Sequence, residues 1–135
     1  MYDTGMPWRV LIVALSVATL NCDARHASNI ERKARCASLG KSYIADLEKK
    51  FGGEPVIMNA TFAYNSTADT CLCRYDAHWT AKGAGAYFTI VDLLSNKTLA
   101  YYDTTVPAPK VLEHYQTAVA AMDQDHPLPP MLPGE

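Results

Sequence analysis

Apolar and polar positions alternate along this chain with two different periods, and the change of period separates the predicted elements. Between residues 30 and 51, apolar side chains recur every three to five positions, which predicts an amphipathic helix. Ser28 and Glu31 have the form of a capping box, so we expect the helix to begin at Ser28. Gly52 and Gly53 stand where it should end.

After residue 55 the period becomes two, which is typical of half-buried strands. In the first run we expect Val56, Met58 and Phe62 to share one face of the strand. Two prolines end the fourth run, and the apolar spacing that follows predicts a second, shorter helix at residues 110–123. The four predicted strands cover residues 56–64, 71–79, 87–94 and 98–105.

The order of these elements predicts an α+β fold. Because the connections between the strands are short, we expect a four-stranded antiparallel meander with the N-terminal helix packed on one face and a short C-terminal helix. This layout of one helix followed by a four-stranded antiparallel sheet resembles cystatin-like folds. The resemblance implies architecture alone, because the Gln-x-Val-x-Gly pattern of the cystatin inhibitory loop does not occur in this chain.

An unbroken apolar run at residues 10–20 follows Arg9 and precedes small residues. Eleven residues are too few for a helix that spans a bilayer, which needs about 20, but they match the apolar region of a secretory signal. The predicted organisation is a signal peptide at residues 1–24 with Met6 as an alternative start, a single α+β domain at residues 25–125 and a Pro-rich disordered tail at residues 126–135.

The apolar run predicts export to the periplasm or the medium. Cys22 lies two residues after the end of the run and is a candidate for lipid attachment, so a lipid-anchored protein is the alternative. Thr19 and Asn21 depart from the leucine and the small residue that such a signal usually has before its cysteine. We expect contact with a membrane only through the signal or a lipid anchor.

Of the three remaining cysteines, we expect two to form a disulfide in an exported chain and one to stay unpaired unless it reaches another chain. Cys71 and Cys73 lie on the same face of the second predicted strand, and Cys36 lies in the helix that should cover this face. We predict a disulfide from Cys36 to Cys71 or Cys73, and favour Cys73 because it lies farther from the turn. A metal site is not expected, because a fourth ligand and the usual cysteine spacing are missing.

Polar side chains offer few candidates for chemistry. Arg74, Asp76 and His78 share the opposite face of the second strand, where Asp76 could orient His78 as a general base. We favour a solvated sheet face there, because no nucleophile accompanies them. Asp92 interrupts an apolar strand and either is buried in a pair or caps the following turn, and we favour the cap. Strand aromatics, which more often pack in a core, could also line a ligand cleft: Tyr75, Trp79, Tyr87, Tyr101 and Tyr102.

The net charge of −2 provides no basic face for nucleic acid, so no nucleic-acid partner is expected. The sequence favours a small exported binding or structural domain without catalytic activity, metal or cofactor, whose partner is a protein or small molecule. The alternative is a small secreted hydrolase or thiol-redox enzyme that uses the polar face of the second strand or the Cys71-Leu72-Cys73 pair. Polar residues converging in a concave pocket would favour the enzyme.

Overall fold

The computed structural model describes the backbone of residues 8–80 and 85–132, and the side chains of these ranges from Ser28 onward. The strands form one antiparallel sheet in the order β1-β2-β3-β4, so the predicted α+β meander between two helices is confirmed. The elements are α1 (Trp8–Phe51), β1 (Val56–Asn65), β2 (Thr70–His78), β3 (Ala86–Asp92), β4 (Lys97–Asp103) and α2 (Pro109–Asp123).

Helix α1 begins earlier than the capping box predicts. It is continuous from Trp8, so a helix start at Ser28 is wrong. No glycine or proline occurs between Trp8 and Leu39 to interrupt it. The predicted end is confirmed, because Gly52 has a φ of +63° and its N–H bonds the carbonyl of Glu48 at 3.1 Å.

The chain divides into two compact units, residues 1–32 and 33–135, and the sheet and α2 belong to the second. Among the residues that the structure describes, no helix is long and apolar enough to cross a membrane. Residues 1–7 and the side chains of residues 8–27 lie outside the described residues. The predictions of a signal peptide and of lipid attachment at Cys22 fall there and stay predictions.

The C-terminal part of α1 packs on one face of the sheet, which we call the α1 face. Tyr43, Ile44 and Leu47 contact a buried cluster that includes Cys73 and Val91. Leu47 lies four positions after Tyr43 and three after Ile44, so the three side chains share one side of the helix. The predicted packing of the first helix across a sheet face is therefore observed.

A disulfide joins α1 to the start of β2 through Cys36 and Cys71, whose Cα atoms are 5.1 Å apart. The predicted tie between helix and sheet is confirmed, but the preference for Cys73 is wrong, since Cys73 is a buried free thiol. The position of Gly40 explains this choice. A Cβ at Gly40 would collide with the ring of Phe62, which pairs with Cys73, so Gly40 is the helix residue that lies level with Cys73. Cys36 lies one helical turn earlier, about 5 to 6 Å, which matches the step of about 6.6 Å from Cys73 back to Cys71.

Helix α2 covers the opposite face of the sheet, which we call the α2 face. Tyr115 and Ala118 pack against Ile90 and Ala100 in a second buried cluster. Leu72, which points to this face from β2, is 0% exposed. The sheet therefore has a core on both sides rather than on one.

The polar residues of β2 consequently do not lie on a solvated face as predicted. Asp76 is only 7% exposed, and Arg74 and His78 keep about a third of their side-chain surface accessible. The prediction is wrong because charged residues at alternate positions usually indicate a solvent-exposed face, whereas here α2 packs on the same face of the sheet.

Strand β1 contains a bulge that divides its predicted face in two. The register shifts between Met58 and Thr61, where Asn59 has a left-handed φ of +48°. Beyond the shift Phe62 packs on the α1 face, whereas Val56 and Met58 belong to the α2 side and are exposed. A single face for these three residues is therefore wrong, because strict alternation does not allow for an inserted residue.

Residues 126–132 follow α2 without regular secondary structure. The His126 N–H donates to the carbonyl of Ala121 at 2.9 Å, and Nε2 of His114 lies 2.9 Å from the carbonyl oxygen of Pro130. Leu128 is half-buried. The tail thus contacts α2, and its predicted disorder stays a prediction.

We expect removal of the disulfide by the double change Cys36→Ala, Cys71→Ala to lower the free energy of unfolding by about 3 to 4 kcal/mol, because the bond closes a loop between residues 35 positions apart. Urea unfolding with and without a reductant measures this. The wild-type chain should lose stability in the reductant and the double variant should not. A wild-type chain that is equally stable in both conditions would contradict the pairing.

Candidate functional site

A cavity of about 770 Å³ opens on the α1 face, beyond the end of α1, and we call it the aromatic pocket. Its volume lies within the range of small-molecule sites, about 300 to 1,000 Å³. Aromatic and apolar side chains dominate its walls. The described residues that line it are Phe51, Pro55, Tyr75, Ala77, Trp79, Tyr87, Thr89, Lys97, Thr98, Tyr101 and Met131.

The floor of the aromatic pocket consists of cross-strand neighbours on three strands. Ala77 of β2 pairs with Tyr87 of β3, and Thr89 of β3 pairs with Tyr101 of β4. Because α1 ends at Phe51, this part of the sheet stays open, and Tyr101 is 41% exposed. The pocket therefore exists because the helix is shorter than the face on which it packs.

The pocket walls hold each other in place through ring contacts. Trp79 and Tyr87 meet edge to face, with centroids 6.2 Å apart, and Tyr43 of α1 meets Tyr75 at 6.3 Å. Burial, and then the nearby Tyr75, raise the pKa of Tyr43 well above its ordinary value. Its hydroxyl is therefore a neutral phenol under any ordinary condition.

Lys97 is the one charged side chain among the described residues that line this pocket. An ammonium beside an aromatic floor suits a molecule with an apolar body and an acidic group. Of the five strand aromatics that the sequence offers for a cleft, four line the pocket. Tyr102 instead packs against the cluster under α2.

A smaller cavity of about 360 Å³ lies on the α2 face, and we call it the polar pocket. Its centre is Asp76, whose Oδ2 accepts a hydrogen bond from Nδ2 of Asn59 at 3.2 Å and lies 2.6 Å from Nε2 of His78. The described residues that line it are Asn59, Thr61, Arg74, Tyr75, Asp76, Phe88, Tyr115 and Val119.

Strand β2 and helix α2 together position the charges of the polar pocket. Nη1 of Arg74 lies 3.3 Å from a carboxylate oxygen of Asp123, the last residue of α2. Burial raises the pKa of Tyr115, Arg74 lowers it, and Asp76 and Asp123 raise it, with a net increase above 10.0. Tyr115 is therefore a neutral hydroxyl close to charges of both signs.

The structure brings the three predicted polar residues of β2 together, but not as one pocket wall. Arg74 and Asp76 line the polar pocket, whereas His78 reaches it only through its contact with Asp76. Sequence reasoning missed Asn59 and Tyr115. The bulge that brings Asn59 to Asp76 has one local signal, an asparagine, which tolerates a positive φ.

Asp92 has the turn-capping role that we favour from the sequence. Its Oδ1 accepts hydrogen bonds from the N–H of Leu94 at 2.9 Å, the N–H of Ser95 at 3.3 Å and the hydroxyl of Thr70 at 2.6 Å. Burial raises the pKa of Asp92, but these hydrogen bonds outweigh it and hold the pKa below 3.8.

The three cysteines whose side chains the structure describes show no sign of a reactive thiol. Burial raises the pKa of the Cys73 thiol to about 12, so the sulfur is protonated at neutral pH. Cys36 and Cys71 are consumed by the disulfide. Among the residues that the structure describes, no group of three His, Cys, Asp or Glu side chains is arranged to hold a metal ion.

In comparisons with known proteins, no protein family, no curated protein and no solved structure matches the chain. The resemblance to cystatin-like folds is therefore one of element order. Function has to be argued from the two pockets.

We expect Asp92→Ala to lower the free energy of unfolding at pH 7 by about 1 to 2 kcal/mol, because three hydrogen bonds to one carboxylate oxygen are lost. The pKa of Asp92 is lower in the folded chain than the unfolded value of 3.8, so this stability is fully present above 3.8 and is lost as the pH falls through the folded value. Urea unfolding across this range measures the difference.

The matched control for Asp92 is Asp46→Ala, on the exposed side of α1. The difference in the free energy of unfolding between the wild-type chain and the Asp92 variant should become smaller at acid pH. The corresponding difference for the Asp46 variant should stay small at every pH. A gap for Asp92 that does not change with pH would contradict the hydrogen-bonded carboxylate.

Proposed function

We propose that this chain is a small exported binding domain that holds a small molecule with an apolar body in the aromatic pocket and does not act as an enzyme. The observation that carries the proposal is the pocket itself, a cavity of about 770 Å³ with a floor of aromatic side chains on three strands. Such a site gains free energy from apolar burial, roughly 25 cal/mol per Å².

The chemistry of the lining supports retention of a ligand rather than its conversion. Phe51, Trp79 and Tyr101 offer apolar surface, and Lys97 offers one positive charge near the same opening. Among the described lining residues, the ionisable groups other than Lys97 are tyrosine phenols. An acid and base pair suited to catalysis at neutral pH is not part of this described lining.

Two observations support export. The apolar run at residues 10–20 has the length of a signal sequence, and the Cys36–Cys71 disulfide is typical of an oxidising compartment. A disulfide between helix and sheet would be reduced in most cytosolic settings.

A second candidate, a small secreted hydrolase, is favoured by the polar side chains that converge in the polar pocket and by one contact. The buried Asp76 lies 2.6 Å from Nε2 of His78, an arrangement in which a carboxylate orients an imidazole. We rank it second because His78 is not among the described residues that line the polar pocket. The thiol-redox alternative is weaker still, since Cys73 is a protonated, buried thiol.

Binding in the aromatic pocket can be tested with 1-anilinonaphthalene-8-sulfonate, an aromatic probe with one acidic group. We expect saturable fluorescence enhancement by the wild-type chain and binding about fivefold to tenfold weaker in Tyr101→Ala, because the variant loses an aromatic contact worth about 1 kcal/mol. Thr98→Trp should block the pocket from an exposed position. Fluorescence titration measures both.

The control for the pocket is Val106→Ala, which removes an exposed apolar side chain outside the lining. This variant should bind the probe like the wild-type chain. Equal binding by all three variants, or no saturation with the wild-type chain, would contradict the proposal.

Export predicts a mature chain that begins near Arg25, because small residues precede that position. Intact mass and N-terminal sequencing of protein from outside the cytoplasm measure this. A mature chain that retains Trp8 would contradict cleavage, and a diacylated Cys22 would establish the lipid-anchored alternative.

A further inference from the structure

The polar pocket on the α2 face has a composition that the proposed function does not use. We propose that it is a second binding site, independent of the aromatic pocket, for a small zwitterion of the amino-acid type. The ammonium of the ligand faces Asp76, and its carboxylate faces Arg74 and Tyr115.

The two carboxylate oxygens of Asp76 have different surroundings: Oδ2 is held by hydrogen bonds, and Oδ1 is available to the pocket. Within the described residues, hydrogen bonds reach only Oδ2, from Asn59 and from His78. No side-chain oxygen or nitrogen in this part of the chain is both sealed from solvent and without a partner. Oδ1 of Asp76 therefore has access to the pocket that its residue lines, as a preoriented acceptor for a cationic group.

Arg74 and Tyr115 supply donors on the same pocket. Asp123 engages only Nη1 of Arg74 among the described residues, so the other guanidinium nitrogens keep their N–H groups for a ligand. The Tyr115 hydroxyl has no hydrogen-bond partner in the described chain, and it is likewise not sealed from solvent. A carboxylate can accept hydrogen bonds from both groups.

The spacing of the opposite charges selects a short ligand. Arg74 and Asp76 are two positions apart on β2, so their Cα atoms are about 6.6 Å apart and their side chains point to the same face. In the described chain Arg74 pairs with Asp123 and Asp76 with His78, and the two residues do not pair with each other. A ligand whose ammonium and carboxylate are held on neighbouring atoms can reach both side chains at once. The volume of about 360 Å³ suits a molecule of this size, with Phe88 and Val119 as an apolar wall for its side chain.

A zwitterion also fits the charges better than an ion of one sign. An anion alone would face the carboxylate of Asp76, and a cation alone would face the guanidinium of Arg74. A neutral polar molecule would give neither charged group an ionic hydrogen bond beyond those to Asp123 and His78. The pocket discriminates among these classes through the like-charge contact or the missing ionic hydrogen bond that each wrong ligand brings.

Calorimetric titration of the full chain with each of the twenty free L-amino acids tests the inference. We expect at least one to bind, and ethylamine and propionate, which carry one charge each, to bind about tenfold or more weakly. Asp76→Asn and Arg74→Gln should each weaken binding of that amino acid by about tenfold or more, because each removes one ionic hydrogen bond. Tyr115→Phe should weaken it about threefold to tenfold.

The matched controls are Asp46→Asn and Arg35→Gln, which make the same chemical changes on the exposed side of α1. They should leave binding unchanged, as should Tyr101→Ala in the aromatic pocket. Far-UV circular dichroism establishes whether each variant is folded. If Asp76→Asn does not fold, the Arg74→Gln variant alone decides the test.

Three results would overturn the assignment: no binding of any amino acid, binding that survives a folded Arg74→Gln variant, or tighter binding of glucose, a neutral polar probe. Amino-acid binding that is lost in Tyr101→Ala but kept in Arg74→Gln would place the ligand in the aromatic pocket instead. The naphthalene probe reports on that pocket separately, so either proposal can fail without the other.

Discussion

The burial of β2 on both of its faces is the constraint on which the rest of this domain depends. The odd-numbered residues of the strand, such as Cys73, belong to the α1 face, and the even-numbered residues, such as Leu72 and Asp76, are buried on the α2 face. Each helix covers only part of its face. One pocket is left where α1 ends, and the other is left where α2 meets the bulge in β1.

The position of α1 along β2 determines the shape of the aromatic pocket. Two contacts fix this position: the Cys36–Cys71 bond and the approach of Gly40 to Phe62, which no larger side chain would allow. With the helix held there, Gly52 ends it before it reaches the far part of β3 and β4. A helix moved along the strand by one turn would cover the floor around Tyr87.

Periodicity and turn residues predict the elements of this fold because each depends on a short stretch of chain. The glycines after Phe51 and the cap at Asp92 are local in this sense, and both are observed. The choice of Cys71 over Cys73 is not local, because it depends on where a helix lies over a strand. The burial of Asp76 beside α2 depends in the same way on a long-range contact. The alternating charged residues of β2 resemble the pattern of a solvent-exposed face, so the sequence does not indicate this burial.

The half-buried carboxylate of Asp92 and the buried carboxylate of Asp76 illustrate why we propose a ligand for the polar pocket and none for the turn after β3. Asp92 receives its three hydrogen bonds from its own turn and from Thr70, so its burial is offset within the fold. Among the described residues, hydrogen bonds reach Asp76 at one oxygen only, and Asn59 reaches it from a left-handed conformation that costs roughly 1 kcal/mol. An apolar residue at position 76 would avoid the desolvation of a charge. The ammonium of the zwitterion that we propose would give the second oxygen of Asp76 a charge-assisted hydrogen bond in the cavity beside Arg74.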